Sequence, residues 1–138
     1  MKQKTLVSIV GPTAVGKTST AIQIAKAFDA EIISSDSRQF FKEINIGTAT
    51  PEPEELAQVP HHFINNLSIT EEYNASKFEK EVLGFLNDYF KEKDIAIMCG
   101  GSGMYVDAII KGFDTEVPTA NESLRKELNE KFKEEGIE

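Results

Sequence analysis

A single cysteine, Cys99, stands in the 138 residues of this chain, inside the apolar run 95–99 and with no second thiol to pair with. That excludes a disulfide framework and a thiolate metal site, and it fits a reducing, cytoplasmic setting. No apolar stretch is long enough to span a bilayer, so no membrane anchoring by a helix is expected. The apolar run at 6–10 is short and leads straight into a glycine-rich loop rather than a small-residue cleavage site, so no export signal is read there. Basic side chains are also scarce, 15 against 23 acidic ones, for a formal net charge of −8. Such a chain lacks the broad basic face with which nucleic-acid binders usually meet phosphate, so any nucleic-acid contact must be local. Much of the acidic excess lies in runs such as 51–55 and 131–138, where solvated charge is the ordinary explanation. Internal repeats and low-complexity tracts are missing as well, and a composition of 40% hydrophobic and 28% charged residues describes one ordinary globular domain.

What is present is an alternation of short β-branched runs with longer amphipathic stretches, the pattern of an α/β protein with a parallel sheet. Strands are expected at 5–10, 31–34 and 95–99, each short and mostly apolar as in a sheet covered on both faces, with a fourth at 63–67. Ala21, Ile22, Ile24, Ala25 and Phe28 recur at helical spacing and predict a helix over 17–28. Asn74 is placed to cap a long helix whose core face is Phe78, Val82, Leu83, Phe85, Leu86, Tyr89 and Phe90. A shorter helix follows at 104–111. Thr119 with Glu122 has the spacing of a capping box for a charged helix running to Glu135, where Gly136 suits a stop. Pro51, Pro53 and Pro60 argue against a continuous helix or central strand between them, so that segment is read as a surface excursion.

The strongest motif is Gly11-Pro12-Thr13-Ala14-Val15-Gly16-Lys17-Thr18, a complete GxxxxGK[ST] set directly after a predicted strand and at the start of a predicted helix. Gly11 and Gly16 let successive N–H groups turn inward onto phosphate oxygens, and the helix N-terminus adds its partial positive charge. Lys17 brings a mobile full charge, and the Thr18 hydroxyl suits a magnesium ion bridging two phosphates. The loop binds a di- or triphosphate without saying what the phosphate is attached to. With the alternating elements it predicts a P-loop NTPase-like three-layer α/β fold. Three or four strands are fewer than such sheets usually have, so residues 1–138 are expected to be the N-terminal part of a larger unit.

In a parallel sheet the carboxyl ends of the strands open onto the ligand crevice, which places Asp36, two residues beyond the second strand, on the same edge as the phosphate loop. Its chemistry there is that of a general base, a magnesium ligand held at one remove, or a helix N-cap. The third strand ends without a carboxylate: Ile97-Met98-Cys99 runs into Gly100-Gly101-Ser102-Gly103-Met104-Tyr105, where ATP-hydrolysing motors and switches commonly hold magnesium with an acidic residue. A second glycine turn at this edge admits a close backbone, such as a sugar-phosphate chain or a base, or is simply a strand-to-helix turn.

These clusters make the chain resemble the tRNA dimethylallyltransferase family over nearly its whole length. The likeness runs through the loop at 11–18, Ile33-Ser34-Ser35-Asp36-Ser37 with Gln39, Ile46-Gly47-Thr48-Ala49 with Pro51, Pro60-His61-His62, Tyr73 ahead of Phe78, and Gly100-Gly101-Ser102 with Tyr105. The resemblance implies that the loop holds the pyrophosphate of dimethylallyl diphosphate, with Mg2+ as cofactor, and that Asp36 is the base on the amine of an adenine next to the tRNA anticodon. It places Ser37, Arg38, Gln39 and Ser102 beside Asp36 at the contact with the tRNA anticodon stem-loop, Ser102 standing where the family often has threonine. Arg125 aligns with a further tRNA-contacting arginine, across a loop at 113–118 of different length. His61 and His62 receive no metal role, in keeping with two adjacent histidines and no third ligand. The family's helical insertion and C-terminal region are not expected within these residues, which implies a built donor site, an incomplete acceptor site, and a cytoplasmic monomer. A small-molecule kinase using ATP, or a nucleotide-binding module without chemistry, are the alternatives the phosphate loop alone leaves open.

Overall fold

In a computed structural model, which describes residues 2–12, 14–44, 49–112 and 121–136, the chain alternates strands and helices. Strand β1 (Thr5–Val10) leads into helix α1 (Lys17–Phe28) and strand β2 (Ile32–Ser34). A 3-10 turn at Lys42–Ile44 precedes the short helix α2 (Pro53–Leu56) and strand β3 (His61–His62). Helix α3 (Ala75–Glu92), strand β4 (Ile95–Gly100), helix α4 (Gly103–Ile110) and helix α5 (Glu122–Glu135) complete the order. The strands form one sheet, β1-β4-β2-β3, and every pairing is parallel. Val10 pairs with Gly100 and Ser34 with Cys99, so the chain leaves β1, β2 and β4 side by side on one edge.

Alternation along the strands divides the core into two layers, because successive side chains point to opposite faces. Ile32 and Ile97 pack with Ala21, Ile22 and Ala25 of α1, whereas Ile33 and Ala96 pack with Phe40 and with Phe78, Val82 and Leu86 of α3. Helix α4 joins the second layer through Tyr105 and Ile109. The expected three-layer arrangement is therefore present. Phe78, fully buried, holds it together on the α3 side: its ring lies 5.3 Å from Phe40, 5.8 Å from Phe63 and 5.0 Å from Tyr105.

Several expectations change in detail. The fourth strand is His61–His62, paired with Ile32 and Ile33, and not 63–67: Phe63 and Asn65 take φ of 62° and 51°, left-handed values that break an extended run. Leu67 contributes only an isolated bridge to Phe41. Phe28 and Leu83 are exposed rather than core, at the edges of their helices' apolar faces. Asn74 caps α3 as read, its side chain accepting from Lys77 N at 2.9 Å. Thr119 lies outside the described residues, and α5 is capped by Asn121, whose side chain accepts from Ser123 N and Leu124 N; its helical hydrogen bonding ends at Gly136, whose N–H reaches Phe132 O. The proline segment is interrupted as expected, yet Pro51 and Val59 are buried and anchor it to the sheet.

Candidate active site

Helix α1 starts from Gly16, whose φ of 91° and ψ of 18° lie in the left-handed region that a side chain disfavours. No side chain among the described residues caps the first turn and no acidic residue stands in it, so its N–H groups and the positive end of the helix are open to an anion. Ala14 holds a φ of 61° in the same loop, a conformation costing an alanine about 1–2 kcal/mol and typical of ligand-gripping segments. The Lys17 ammonium donates to the Pro12 carbonyl, folded back across the loop whose phosphate it would share. Thr18 follows on the first turn, half-buried. Thr13 lies outside the described residues, as do residues 46–48 of the resemblance.

Asp36 occupies the turn beyond β2. Its Oδ1 accepts from Arg38 N at 3.0 Å and its carbonyl from Gln39 N at 3.1 Å, so the carboxylate braces its own turn through one oxygen. No helix starts at Asp36, residues 37–40 being a turn, so its carboxylate braces a turn and is not a helix N-cap. Ser37 and Ser102 meet: Ser37 N donates to Ser102 Oγ at 2.9 Å, and the two hydroxyls lie 3.2 Å apart. Arg38 is exposed and belongs to no salt bridge among the described residues. Gln39 is bound inward, its Oε1 accepting from Ser34 Oγ and its Nε2 donating to the Ala49 carbonyl, each at 3.0 Å. Arg125 sits on α5, a helix with no buried residue, and no hydrogen bond or ion pair among the described residues joins it to the Asp36 turn.

The glycine turn after β4 explains how the two halves stay together. A Cβ on Gly100 would lie 2.5 Å from Ser35 Oγ, 2.6 Å from Ser35 C and 2.7 Å from Asp36 N; one on Gly101 would lie 3.0 Å from the Gly11 carbonyl. The close backbone that this turn admits is the chain's own. Only at glycine size does β4 fit between the phosphate loop and the Asp36 turn, a contact that the sequence marked with Gly100-Gly101 but did not assign to those partners. Cys99, just before it, is buried, and burial pushes its thiol up to about 11, with Lys17 pulling down and Asp36 adding to the rise. The thiol is therefore neutral, and both charges act on it from nearby.

A narrow crevice opens between α1 and the sheet, walled by Thr18, Ala21, Ser34, Gln39, His61 and Cys99 among others. Among the described residues, His61 Nε2 is buried and has no hydrogen-bond partner. No group of three or more His, Cys, Asp or Glu side chains among the described residues is gathered as a metal cage. The donor set instead suits magnesium, which keeps most of its waters and is commonly held by one or two protein oxygens plus substrate phosphates.

Comparison with known proteins shows the family and the fold. A family model described as IPP transferase matches residues 39–138. The chain is 52% identical over 133 residues to a tRNA dimethylallyltransferase of Flavobacterium psychrophilum, covering 96% of this chain and 43% of that protein. It is 46% identical over 138 residues to tRNA dimethylallyltransferase 1 of Bacteroides fragilis, covering 100% of this chain and 46% of that protein. Among solved structures, the full-length tRNA isopentenylpyrophosphate transferase of Bacillus halodurans superposes with a TM-score of 0.78 at 37% identity, over 98% of this chain and 44% of that one. A eukaryotic dimethylallyltransferase acting on tRNA gives 0.74 at 34% identity, over 93% of this chain and 32% of that one. The chain thus spans less than half the length of each.

Proposed function

Because this chain belongs to the IPP transferase family, we propose that it forms the donor-binding part of a tRNA dimethylallyltransferase. The enzyme moves a dimethylallyl group from dimethylallyl diphosphate to the N6 amine of the adenosine beside the anticodon, releasing pyrophosphate. The observation that carries the proposal is the Gly100-Gly101 turn, which holds an anion-binding helix start and a carboxylate turn against opposite sides of one backbone.

The adenine amine is a poor nucleophile because its lone pair is delocalised into the ring. Asp36 takes the proton as the new C–N bond forms, its turn fixed by Arg38 N and Gln39 N. The loop amides and Lys17 stabilise the negative charge that grows on pyrophosphate as the allylic C–O bond breaks. Thr18 would hold magnesium against the phosphates, where the ion neutralises leaving-group charge. A base turned out of the anticodon loop exposes the amine. Ser37, Ser102 and Arg38 are placed to meet the tRNA beside Asp36; Gln39 serves it by holding the turn in shape; Arg125 contributes from α5. The net charge of −8 assigns most of the phosphate contact with tRNA to the part of the relatives' length that lies outside this chain.

The test is prenyl transfer by an enzyme of the relatives' full length that contains this part, from labelled dimethylallyl diphosphate to tRNA, with ATP as competing donor and Asp36→Asn as the key variant. Asparagine keeps an oxygen for Arg38 N but is no base. Turnover is expected to fall by at least ~100-fold while donor affinity holds. Preference for ATP, or wild-type turnover in Asp36→Asn, would overturn the proposal.

A further inference from the structure

His61 is used by none of the chemistry described so far. Its Nδ1 lies 2.7 Å from the Val59 carbonyl. A carbonyl only accepts, so Nδ1 carries the proton and Nε2 presents a lone pair. Among the described residues that lone pair is buried and unpartnered, and burial lowers the basicity of the ring, so it remains an acceptor. An unpaired buried acceptor costs about 1–3 kcal/mol, and His61 lines the same crevice as Thr18.

The crevice walls supply few donors. Ser34 Oγ already donates to Gln39 Oε1, and Gln39 Nε2 uses one N–H on the Ala49 carbonyl. The Cys99 thiol is a weak donor. The Thr18 hydroxyl enters no hydrogen bond among the described residues. A hydroxyl that offers its oxygen lone pairs to a cation becomes a stronger donor through its hydrogen, which then needs an acceptor. In P-loop enzymes of the motor and switch type, a carboxylate from a neighbouring strand shares the magnesium with the loop hydroxyl. Here the end of β4 offers Gly100-Gly101-Ser102 and no carboxylate.

We propose that His61 Nε2 is the acceptor for the Thr18 hydroxyl, directly or through the single water for which the crevice has room, and so aims the Thr18 oxygen at the phosphate-bound cation. His61 is a positioning residue supplied from β3, which makes the shortest strand of the sheet part of the phosphate site. The inference rests on the reading of Thr18 as a magnesium ligand and not on the identity of the group that pyrophosphate leaves.

The test uses magnesium and inorganic pyrophosphate as probes on the full chain, read by calorimetry across a magnesium titration. His61→Asn keeps a donor at the Nδ1 position for Val59 O but removes the group at Nε2, whereas His61→Gln carries an amide oxygen out to the Nε2 position. His61→Asn is expected to raise the magnesium requirement of pyrophosphate binding about tenfold with pyrophosphate affinity at saturating magnesium little changed, and His61→Gln to restore most of it. In a Thr18→Ala background His61→Asn should add nothing. A magnesium requirement unaltered in His61→Asn, or altered equally with and without the Thr18 hydroxyl, overturns the proposal. If His61→Asn does not fold, the nitrogen resonance of His61 Nε2 in the unaltered protein decides. An upfield shift on adding magnesium pyrophosphate supports the inference, and an unmoved resonance overturns it. A donor site that prefers ATP to dimethylallyl diphosphate would refute the transferase reading, while a His61-dependent magnesium requirement in that same chain would still support this one.

Discussion

Replacing Gly100 with alanine is the sharpest perturbation of the site that touches none of its reacting groups. The added Cβ would lie 2.7 Å from Asp36 N and 2.6 Å from Ser35 C, where ordinary contact begins at 3.4 Å. The Asp36 backbone must therefore retreat by about 0.7 Å, or β4 must move instead. Backbone atoms have no rotamer with which to yield, so a cost in the range of about 1–3 kcal/mol is expected from overpacking. For a domain of this size that lowers the melting temperature by roughly 3–5 °C per kcal/mol. The catalytic effect should be larger, since a misplacement near 1 Å can cost on the order of 100-fold in rate. Pyrophosphate affinity should be nearly preserved, because the retreat carries Asp36 away from β4 while the phosphate loop touches the neighbouring Gly101. Single-turnover prenyl transfer, pyrophosphate calorimetry and thermal melting on one preparation separate these terms. An alanine variant with normal turnover and normal melting would refute the argument that β4 sets the place of Asp36.

Other perturbations probe other links. Lys17→Ala removes a charge-assisted contact and should weaken pyrophosphate binding by ~1.5–3 kcal/mol, measured by calorimetry, with melting unchanged. With its thiol at about 11, Cys99 is ionised in about one molecule in a thousand at pH 8; iodoacetamide labelling should be slow in the native protein, rise with pH, and become fast in urea. Phe78→Ala empties a fully buried position between three rings and should cost about 3–5 kcal/mol by denaturant titration, since α3 and α4 lose their shared anchor.

The parts legible in the sequence were those whose physics is local. A loop motif flanked by a strand and a helix announces itself, and so do the Asn74 cap and the 3.6-residue spacing along α3. The fourth strand was misplaced because two residues give no periodicity. His61–His62 is a strand only because β2 lies beside it, and the 63–67 run is bent by positive φ at Phe63 and Asn65. Phe28 and Leu83 match a helical spacing yet fall outside the contact with the sheet, which spacing alone does not reveal. At the site, Asp36 and the loop were found as separate pieces. What the sequence did not disclose was the spacing between them, because the atoms that fill the space beside Gly100 come from Ser35 and Asp36, more than sixty positions earlier in the chain. Gln39, read as a tRNA contact, also has its amide engaged by Ser34 and Ala49, a pairing that no local pattern announces.

The parallel register of β1 against β4 bears on the order in which the molecule can assemble. Lys4 and Asp94, which close the start of that pairing with a 2.7 Å contact, are 90 residues apart in the chain. Loop closure over such a distance is slow and earns its contacts late. The phosphate loop, although contiguous in sequence, has its final shape only when β4 has come to lie beside β1 and Gly101 against Gly11. In a refolding experiment, pyrophosphate binding should lag behind the helical signal and coincide with completion of the sheet. A nascent chain carries every residue of the anion loop long before it carries an anion site.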